Sequence, residues 1–151
     1  MAEAEDNIRF QETFHIEGGN FTNAGAISSR VKNILKEAGF PGKIIRRTSI
    51  AAFEAEMNVI CYANQGNLSL FIAPNFLKVV VEDEGIGIPD VDLAMTEGYS
   101  TANEKIRELG FGAGMGLSNI KRNTDEMVLT SQFRKGTHLE FVILLDNQNK
   151  K

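Results

Sequence analysis

The stretch VVVEDEGIGIPD, residues 79–90, constrains the fold more than any other part of the chain. Three consecutive valines are typical of a strand buried in a sheet, because β-branched side chains pack well against a pleated surface. This strand passes directly into carboxylates and then into alternating glycines, which leave a turn with almost no side chains. We therefore expect a sheet in which another group closely approaches the backbone where this strand ends.

The length of the chain, 151 residues, suits one domain with one hydrophobic core. We assign that domain to residues 8–145 and expect polar, flexible ends at residues 1–7 and 146–151. Hydrophobic residues make up 42% of the chain and charged residues 24%, and no apolar run approaches the about 20 residues that cross a bilayer. These values predict a soluble globular protein with no membrane partner.

Charge and cysteine content limit the partners and the cell compartment that we expect for this protein. The net charge of −4 provides no long-range attraction for phosphate backbones, so we expect no nucleic-acid partner. The first ten residues lack a basic region followed by an apolar one, and the single Cys61 cannot form an internal disulfide. Both features indicate a cytoplasmic protein.

Hydrophobic periodicity predicts strands and helices in a simple order. Residues 8–16 alternate as a half-buried strand, and residues 22–38 and 41–63 repeat as helices. The remaining predicted elements are strands at 68–73 and 76–83, a long polar segment at 91–111 with a short helix, a helix starting within 114–126, and strands at 126–133 and 137–145. This order predicts an α+β two-layer sandwich, with helices on one face of a mixed, mostly antiparallel sheet.

The second predicted helix carries an acid and an amide at its edge. Its apolar stripe is predicted to consist of Ile50, Phe53, Met57 and Ile60. Glu54 and Asn58 lie one turn apart on the border of that stripe, because residues four apart are neighbours on a helix. Taken alone, such a pair is most often a solvated helix edge.

Alternating glycines occur at two places. Asp83-x-Gly85-x-Gly87 by itself could simply end a strand in a turn. The run GFGAGMG places a glycine at every second position immediately before a predicted helix. A glycine loop that leads into a helix N-terminus exposes backbone N–H groups beside the positive end of the helix dipole, which favours phosphate, although a flexible loop is the alternative.

Familiar phosphate and metal motifs do not fit. A Walker loop needs Lys and then Ser or Thr after its last glycine, whereas Gly116 is followed by Leu117 and Ser118. The dinucleotide fingerprint G-x-G-x-x-G fails at both glycine clusters, and no zinc or calcium pattern is present. His15 and His138 are expected to be ordinary strand residues.

The combination of motifs, however, resembles a known superfamily. In order and spacing, EAEMN, EDEGIGIPD, GFGAGMGLSNIKR and KGTHLEF resemble the N, G1, G2 and G3 boxes of the GHKL ATPases, the group that contains gyrase, the Hsp90 chaperone, histidine kinases and MutL. The resemblance covers roughly residues 20–145 and implies the GHKL (Bergerat) ATP-binding fold. GIPDVDLAMTEGYST followed by GFGAGMGLSNIKR is most similar to the stand-alone anti-sigma-factor and stress-switch serine/threonine kinases of bacteria.

This resemblance implies a role for each matching residue. Asp83 would accept a hydrogen bond from the adenine amino group of ATP, and Thr137 would lie near adenine. Asn58 would supply an oxygen to Mg²⁺, and Glu54 would act as general base, with a pKa raised by its apolar neighbours. The residues expected around the rest of the nucleotide are Gly85, Gly87, Gly110, Gly112, Gly114, Met115 and Gly116, and residues 91–113 would form a mobile lid.

Two functions follow from the resemblance. The first is a kinase that phosphorylates a Ser or Thr of an anti-sigma-factor antagonist of the STAS type. The second is a nucleotide-dependent module that sequesters a sigma factor or another regulator with little turnover. A full histidine kinase would need a dimerising helical hairpin for which the chain has no room.

Some assignments stay open at the level of sequence. Oligomeric state is one of them, with a homodimer among the alternatives. The cation that reaches a phosphate is another, the candidates being Lys105, Arg107, Lys121 and Arg122. Arg46 and Arg47 could touch nucleotide or partner, but a solvated pair is the expected arrangement.

Overall fold

The computed structural model describes residues 7–85, 95, 116–132 and 134–145. The helices are α1 (Ala26–Glu37), α2 (Gly42–Tyr62) and α3 (Gly116–Asn123), with a short 3₁₀ turn at Phe21–Asn23. The strands are β1 (Phe10–Glu17), β2 (Ala63–Ile72), β3 (Phe76–Gly85), β4 (Glu126–Gln132) and β5 (Gly136–Leu144). The predicted order of strands and helices is confirmed in this part of the chain, with boundaries that differ by a few residues.

The five strands form one sheet in the order β1-β2-β3-β5-β4. Every pairing among the described strands is antiparallel. The short connection between β2 and β3 was expected to make these two strands antiparallel, and this is confirmed. The strand β5 pairs with β3 on one side and with β4 on the other. Because β5 runs antiparallel to β3, the end of β3 lies beside the start of β5.

The helices cover one face of this sheet and enclose the core. Along β3, Leu77, Val79 and Val81 are buried, whereas Val80 between them is only partly buried. Alternate residues of a strand point to opposite faces, so the valine run has one face under the helices and one face outside them. The predicted two-layer α+β sandwich is confirmed.

Backbone geometry explains where α1 ends and α2 begins. Gly39 follows α1 with φ +84°, a left-handed conformation that glycine adopts without steric cost. Pro41 caps α2 with φ −64° and ψ 151°, and the 21 residues of α2 contain no later proline. These two residues allow the chain to reverse quickly, so that α1 and α2 pack together.

The predicted apolar stripe of α2 is wrong at Ile50, whose side chain is 38% exposed. A single stripe presumes that a helix buries one face, but α2 contacts α1, α3 and the sheet and therefore buries a wider surface. Its buried residues are Ile44, Ile45, Thr48, Ala51, Ala52, Ala55, Glu56, Met57, Val59 and Ile60.

Glu56, on the side of α2 that faces α1, is a buried acid that sequence patterns did not single out. Its side chain is 1% exposed and accepts hydrogen bonds from the backbone N–H groups of Gly25, Ile27 and Ser28 at 3.0–3.3 Å. These are donors at the first turn of α1, where no residue of α1 itself caps the helix through its side chain. Glu56 therefore caps α1 and fixes it to α2.

The opposite end of α2 is fixed to α3 by Arg47. Its Nε donates to the backbone oxygen of Asn123 at 3.1 Å, and its guanidinium lies 3.1 Å from Asp125 Oδ1. The Arg47 side chain is 20% exposed, whereas Arg46 is exposed. The expectation of a solvated pair is therefore wrong for Arg47, because the C-terminal end of α3 provides an acceptor that sequence periodicity does not reveal.

Candidate functional site

Glu54 and Asn58 lie over the first residue of α3. A Cβ atom placed on Gly116 would be 3.0 Å from Glu54 Oε2 and 3.5 Å from Asn58 Oδ1. The two side chains project from successive turns of α2 toward α3, as their four-residue spacing requires. The structure thus brings together two motifs that are separated by almost 60 residues in the sequence.

The surroundings of Glu54 alter its acidity. Burial raises the pKa of the Glu54 carboxyl above its usual range, and a hydrogen bond from the Asn119 side chain acts in the opposite direction. A carboxyl whose pKa is raised is a stronger base once ionised, which suits proton transfer. The expectation that burial raises the pKa of Glu54 is confirmed.

Cys61 lies one turn beyond Asn58 on α2 and is half-buried. Burial, reinforced by the charge of Glu54, raises the pKa of the Cys61 thiol to about 11. Since the thiolate is the reactive form, Cys61 is a poor nucleophile at neutral pH. Glu54 is therefore the better candidate for chemistry on this side of α2.

Asp83 occupies the end of β3, as predicted, and β5 holds it in place. The backbone N–H of Thr137 donates to Asp83 Oδ1 at 2.9 Å. Burial raises the pKa of the Asp83 carboxyl, while the hydrogen bond from Thr137 lowers it. Only one carboxylate oxygen has this partner, so the other can accept a hydrogen bond from a ligand.

Three glycines allow neighbouring parts of the chain to approach the end of β3 closely, as the sequence led us to expect. A Cβ on Gly136 would collide with the backbone oxygen of Asp83, and one on Gly66 would lie 3.1 Å from Asp83 Cβ. Gly85 is equally restricted, because its Cβ would lie 2.9 Å from the Cα of Ala63 at the end of α2. The close contact at the end of β3 is therefore made by the neighbouring strands and by the end of α2.

Thr137 and Ser131 form a small hydroxyl pair beside Asp83. Their hydroxyl oxygens are 3.1 Å apart, and Ser131 Oγ also donates to the backbone oxygen of Gly136 at 3.0 Å. Thr137 therefore contributes its backbone N–H to Asp83 and its hydroxyl to β4. Sequence reasoning found Thr137 and missed Ser131, whose position follows from strand register.

The remaining predicted residues are not all placed. Gly87, Gly110, Gly112, Gly114 and Met115 lie outside the described residues, as does the predicted lid except for Met95. Asn119 was not predicted; it lies on α3 beside Glu54. His15 and His138 lie on β1 and β5, as expected of strand residues.

The side chains fit a magnesium ion that is held mainly by phosphate. Within the described residues, no group of three or more His, Cys, Asp or Glu side chains could hold a metal ion. Mg²⁺ prefers oxygen ligands and usually takes one or two from protein, the others coming from water and substrate phosphates. The amide oxygen of Asn58, turned toward the start of α3, meets that requirement.

Among the residues that the structure describes, no helix combines the length and apolar character needed to cross a membrane.

Comparisons with known proteins show which family the chain resembles. A family model described as histidine kinase-, DNA gyrase B-, and HSP90-like ATPase matches residues 26–148. The serine/threonine-protein kinase RsbT of Bacillus subtilis (strain 168) is 32% identical over 115 residues, which cover 74% of this chain and 80% of that protein. The anti-sigma F factor of Geobacillus stearothermophilus is 33% identical over 90 residues, which cover 56% of this chain and 58% of that protein.

A solved structure shares the fold. The crystal structure of the SiaB–SiaC complex from Pseudomonas aeruginosa contains a chain that superposes with a TM-score of 0.62. The match covers 94% of this chain and 93% of that chain, at 15% sequence identity. At this identity the likeness concerns the fold alone.

The antiparallel sheet with helices on one face is the fold expected of a GHKL-type ATPase. The chain belongs to the histidine kinase-, DNA gyrase B-, and HSP90-like ATPase family, because the family model spans most of its length. Its relatives lie in the branch of bacterial anti-sigma-factor and stress-switch kinases, so the resemblance found in the sequence is confirmed.

Proposed function

We propose that this chain is a serine/threonine protein kinase that transfers the γ-phosphoryl group of ATP to a STAS-like antagonist protein. The observation that carries the proposal is the meeting of Glu54 and Asn58 over Gly116 at the start of α3. A general base and a metal-binding amide are then adjacent to a helix N-terminus, which favours phosphate. The similarity to a serine/threonine-protein kinase supports the choice of acceptor.

Each residue has one task in this proposal. Asp83, fixed by the N–H of Thr137, accepts a hydrogen bond from the adenine amino group. Asn58 provides one oxygen ligand for Mg²⁺, which neutralises phosphate charge when it is bound with ATP. Glu54 accepts the proton of the acceptor hydroxyl. As it does so, the hydroxyl oxygen of the acceptor bonds to the γ-phosphorus, and the bond between the γ-phosphorus and the β-phosphate oxygen breaks.

The decisive experiment measures transfer of radiolabelled phosphate from ATP to a STAS-like acceptor by wild type and by Glu54→Gln. We expect Glu54→Gln to lower the rate of transfer by roughly 10²–10⁴, because general-base catalysis contributes about that much. ATP affinity, measured by calorimetry, should change little because Glu54 is not assigned to nucleotide binding. Glu37→Gln, an exposed acid at the end of α1, is the matched control and should retain the wild-type rate.

Equal transfer rates in wild type and Glu54→Gln would remove Glu54 from the mechanism. No detectable transfer by wild type, combined with normal ATP binding, would favour a different function.

That second function is sequestration of a sigma factor or another regulator in a nucleotide-dependent manner. The observation in its favour is the similarity to proteins named anti-sigma F factor. Capture of partners from lysate with bound ATP and with bound ADP distinguishes the two functions. A sequestering module should retain a sigma factor in one nucleotide state, whereas a pure kinase should retain only its acceptor. A homodimer would be compatible with either.

A further inference from the structure

Asn119 lies between two groups of opposite charge. On one side Arg122 Nη1 donates to Asn119 Oδ1 at 3.1 Å. On the other side the Asn119 side chain faces Glu54 on α2, where hydrogen bonding from it lowers the pKa of the Glu54 carboxyl. The three side chains therefore form a chain that runs from the last turn of α3 to the proposed general base.

The chemistry of these groups determines which way the Asn119 amide faces. A guanidinium can only donate hydrogen bonds, so the contact with Arg122 must use the amide oxygen of Asn119. The NH₂ group is then the part of the amide left for Glu54, and an ionised carboxylate can only accept. Arg122 thus makes Asn119 a donor toward Glu54.

The location of the Glu54 carboxylate makes this donor useful. Glu54 Oε2 lies over Gly116, three residues before Asn119 and therefore on the same side of α3. The backbone oxygen of Asn119 accepts from Asn123 Nδ2 at 2.8 Å, a contact that does not use the Asn119 side chain. A carboxylate that accepts from one donor keeps its other lone pairs for a second hydrogen-bond partner.

We infer that Asn119 is a positioning residue for phosphoryl transfer: its NH₂ group, oriented by Arg122, holds the Glu54 carboxylate so that a free lone pair faces the acceptor hydroxyl. This inference rests on the proposed kinase function for its consequence but not for the contact itself. In this inference Asn119 acts through Glu54 alone.

A double-mutant cycle in phosphoryl transfer tests the role of Asn119. Asn119→Leu keeps the branched shape of Asn and lacks the donor, so it should lower kcat roughly 3–10-fold while the KM for ATP stays unchanged. In a Glu54→Gln background the same substitution should have almost no further effect, because Asn119 acts through the carboxylate. A purely structural role for Asn119 would give effects that multiply.

Asn123→Ala is the matched control, since it removes another amide from α3 that does not reach Glu54. Its effect should multiply with that of Glu54→Gln. Independent effects of Asn119→Leu and Glu54→Gln, like those of the control, would overturn the inference.

A second cycle keeps the inference testable even if the chain proves not to be a kinase. Urea unfolding of wild type, Asn119→Leu, Glu54→Ala and the double variant measures the contact in the protein without substrate, because alanine removes the carboxylate that accepts from Asn119. We expect the two sites to be coupled by a factor of roughly 2–10 in the unfolding equilibrium constant, the size of one net hydrogen bond. Coupling between the two sites in a protein that shows no phosphoryl transfer would contradict the proposed function and leave the role of Asn119 intact. An absence of coupling would contradict the role of Asn119.

Discussion

The two faces of α2 each carry a glutamate, and the difference between them separates structure from chemistry. Glu56 faces α1, is almost fully buried, and accepts three backbone N–H bonds. Glu54, two residues earlier, faces the start of α3, is partly buried, and has a pKa raised by that burial, with Asn119 as a hydrogen-bond partner. A carboxylate whose oxygens are already satisfied can only hold a helix, whereas one with unused lone pairs can accept a proton.

The largest effect on folding should follow removal of the glutamate that faces α1. We expect Glu56→Ala to lower the free energy of unfolding by about 3 kcal/mol or more, because each unpaired buried donor costs roughly 1 kcal/mol or more. Glu54→Ala should change it by less than about 1 kcal/mol, since the side chain is partly exposed and has few partners. Urea denaturation measures both, and similar losses in the two variants would contradict the division between the faces.

A smaller loss of stability is expected where the start of α2 contacts the C-terminal end of α3. Arg47→Met keeps the aliphatic stem but loses the bonds to Asn123 and Asp125, so we expect a loss of about 1–2 kcal/mol in the free energy of unfolding. Arg46→Met, at the exposed neighbouring position, should cost less than about 0.5 kcal/mol. Equal costs at the two positions would mean that Arg47 does not fix α3.

The smallest effect should follow a substitution at the start of α3, where α3 contacts Glu54 of α2. In Gly116→Ala the new Cβ would press on Glu54 Oε2 from 3.0 Å, so the carboxylate must shift by a few tenths of an ångström. We expect a roughly 3- to 10-fold loss in phosphoryl transfer and little change in stability. Gly42→Ala, which places a Cβ in open space at the start of α2, is the control and should leave transfer unchanged. Unaltered transfer in Gly116→Ala would show that the geometry of Glu54 is not critical.

The sequence predicts the elements of this fold well, because their signals are local. Period-two alternation marks β1, and the absence of glycine and proline from Lys43 to Ala63 marks α2. The order of these elements was sufficient to predict helices on one face of the sheet. Contacts between distant elements were predicted less well: Ile50 is exposed although it falls on the predicted apolar stripe of α2, and Arg47 is paired because α3 ends beside it.

The candidate site shows the same limit. Glu54, Asn58 and Asp83 could be found because their motifs resemble those of a known superfamily. Asn119 carries no such signal, since its importance depends on a partner 65 residues away, and strand register alone brings Gly136 to Asp83. Sequence therefore locates the proposed reacting groups, and the structure supplies the residues that hold them.

The central claim is that Asp83 recognises adenine at the end of β3, and calorimetric titration of nucleotides in magnesium buffer tests it most directly. Under the proposed function wild type should bind ATP in preference to GTP, because the adenine amino group would donate to the carboxylate oxygen of Asp83 that Thr137 does not use. Asp83→Asn can still accept from Thr137 but presents an NH₂ group to the base, so it should bind ATP roughly 10–100-fold more weakly and lose the preference. Equal affinity of wild type for the two nucleotides, or unchanged ATP binding in Asp83→Asn, would contradict this account.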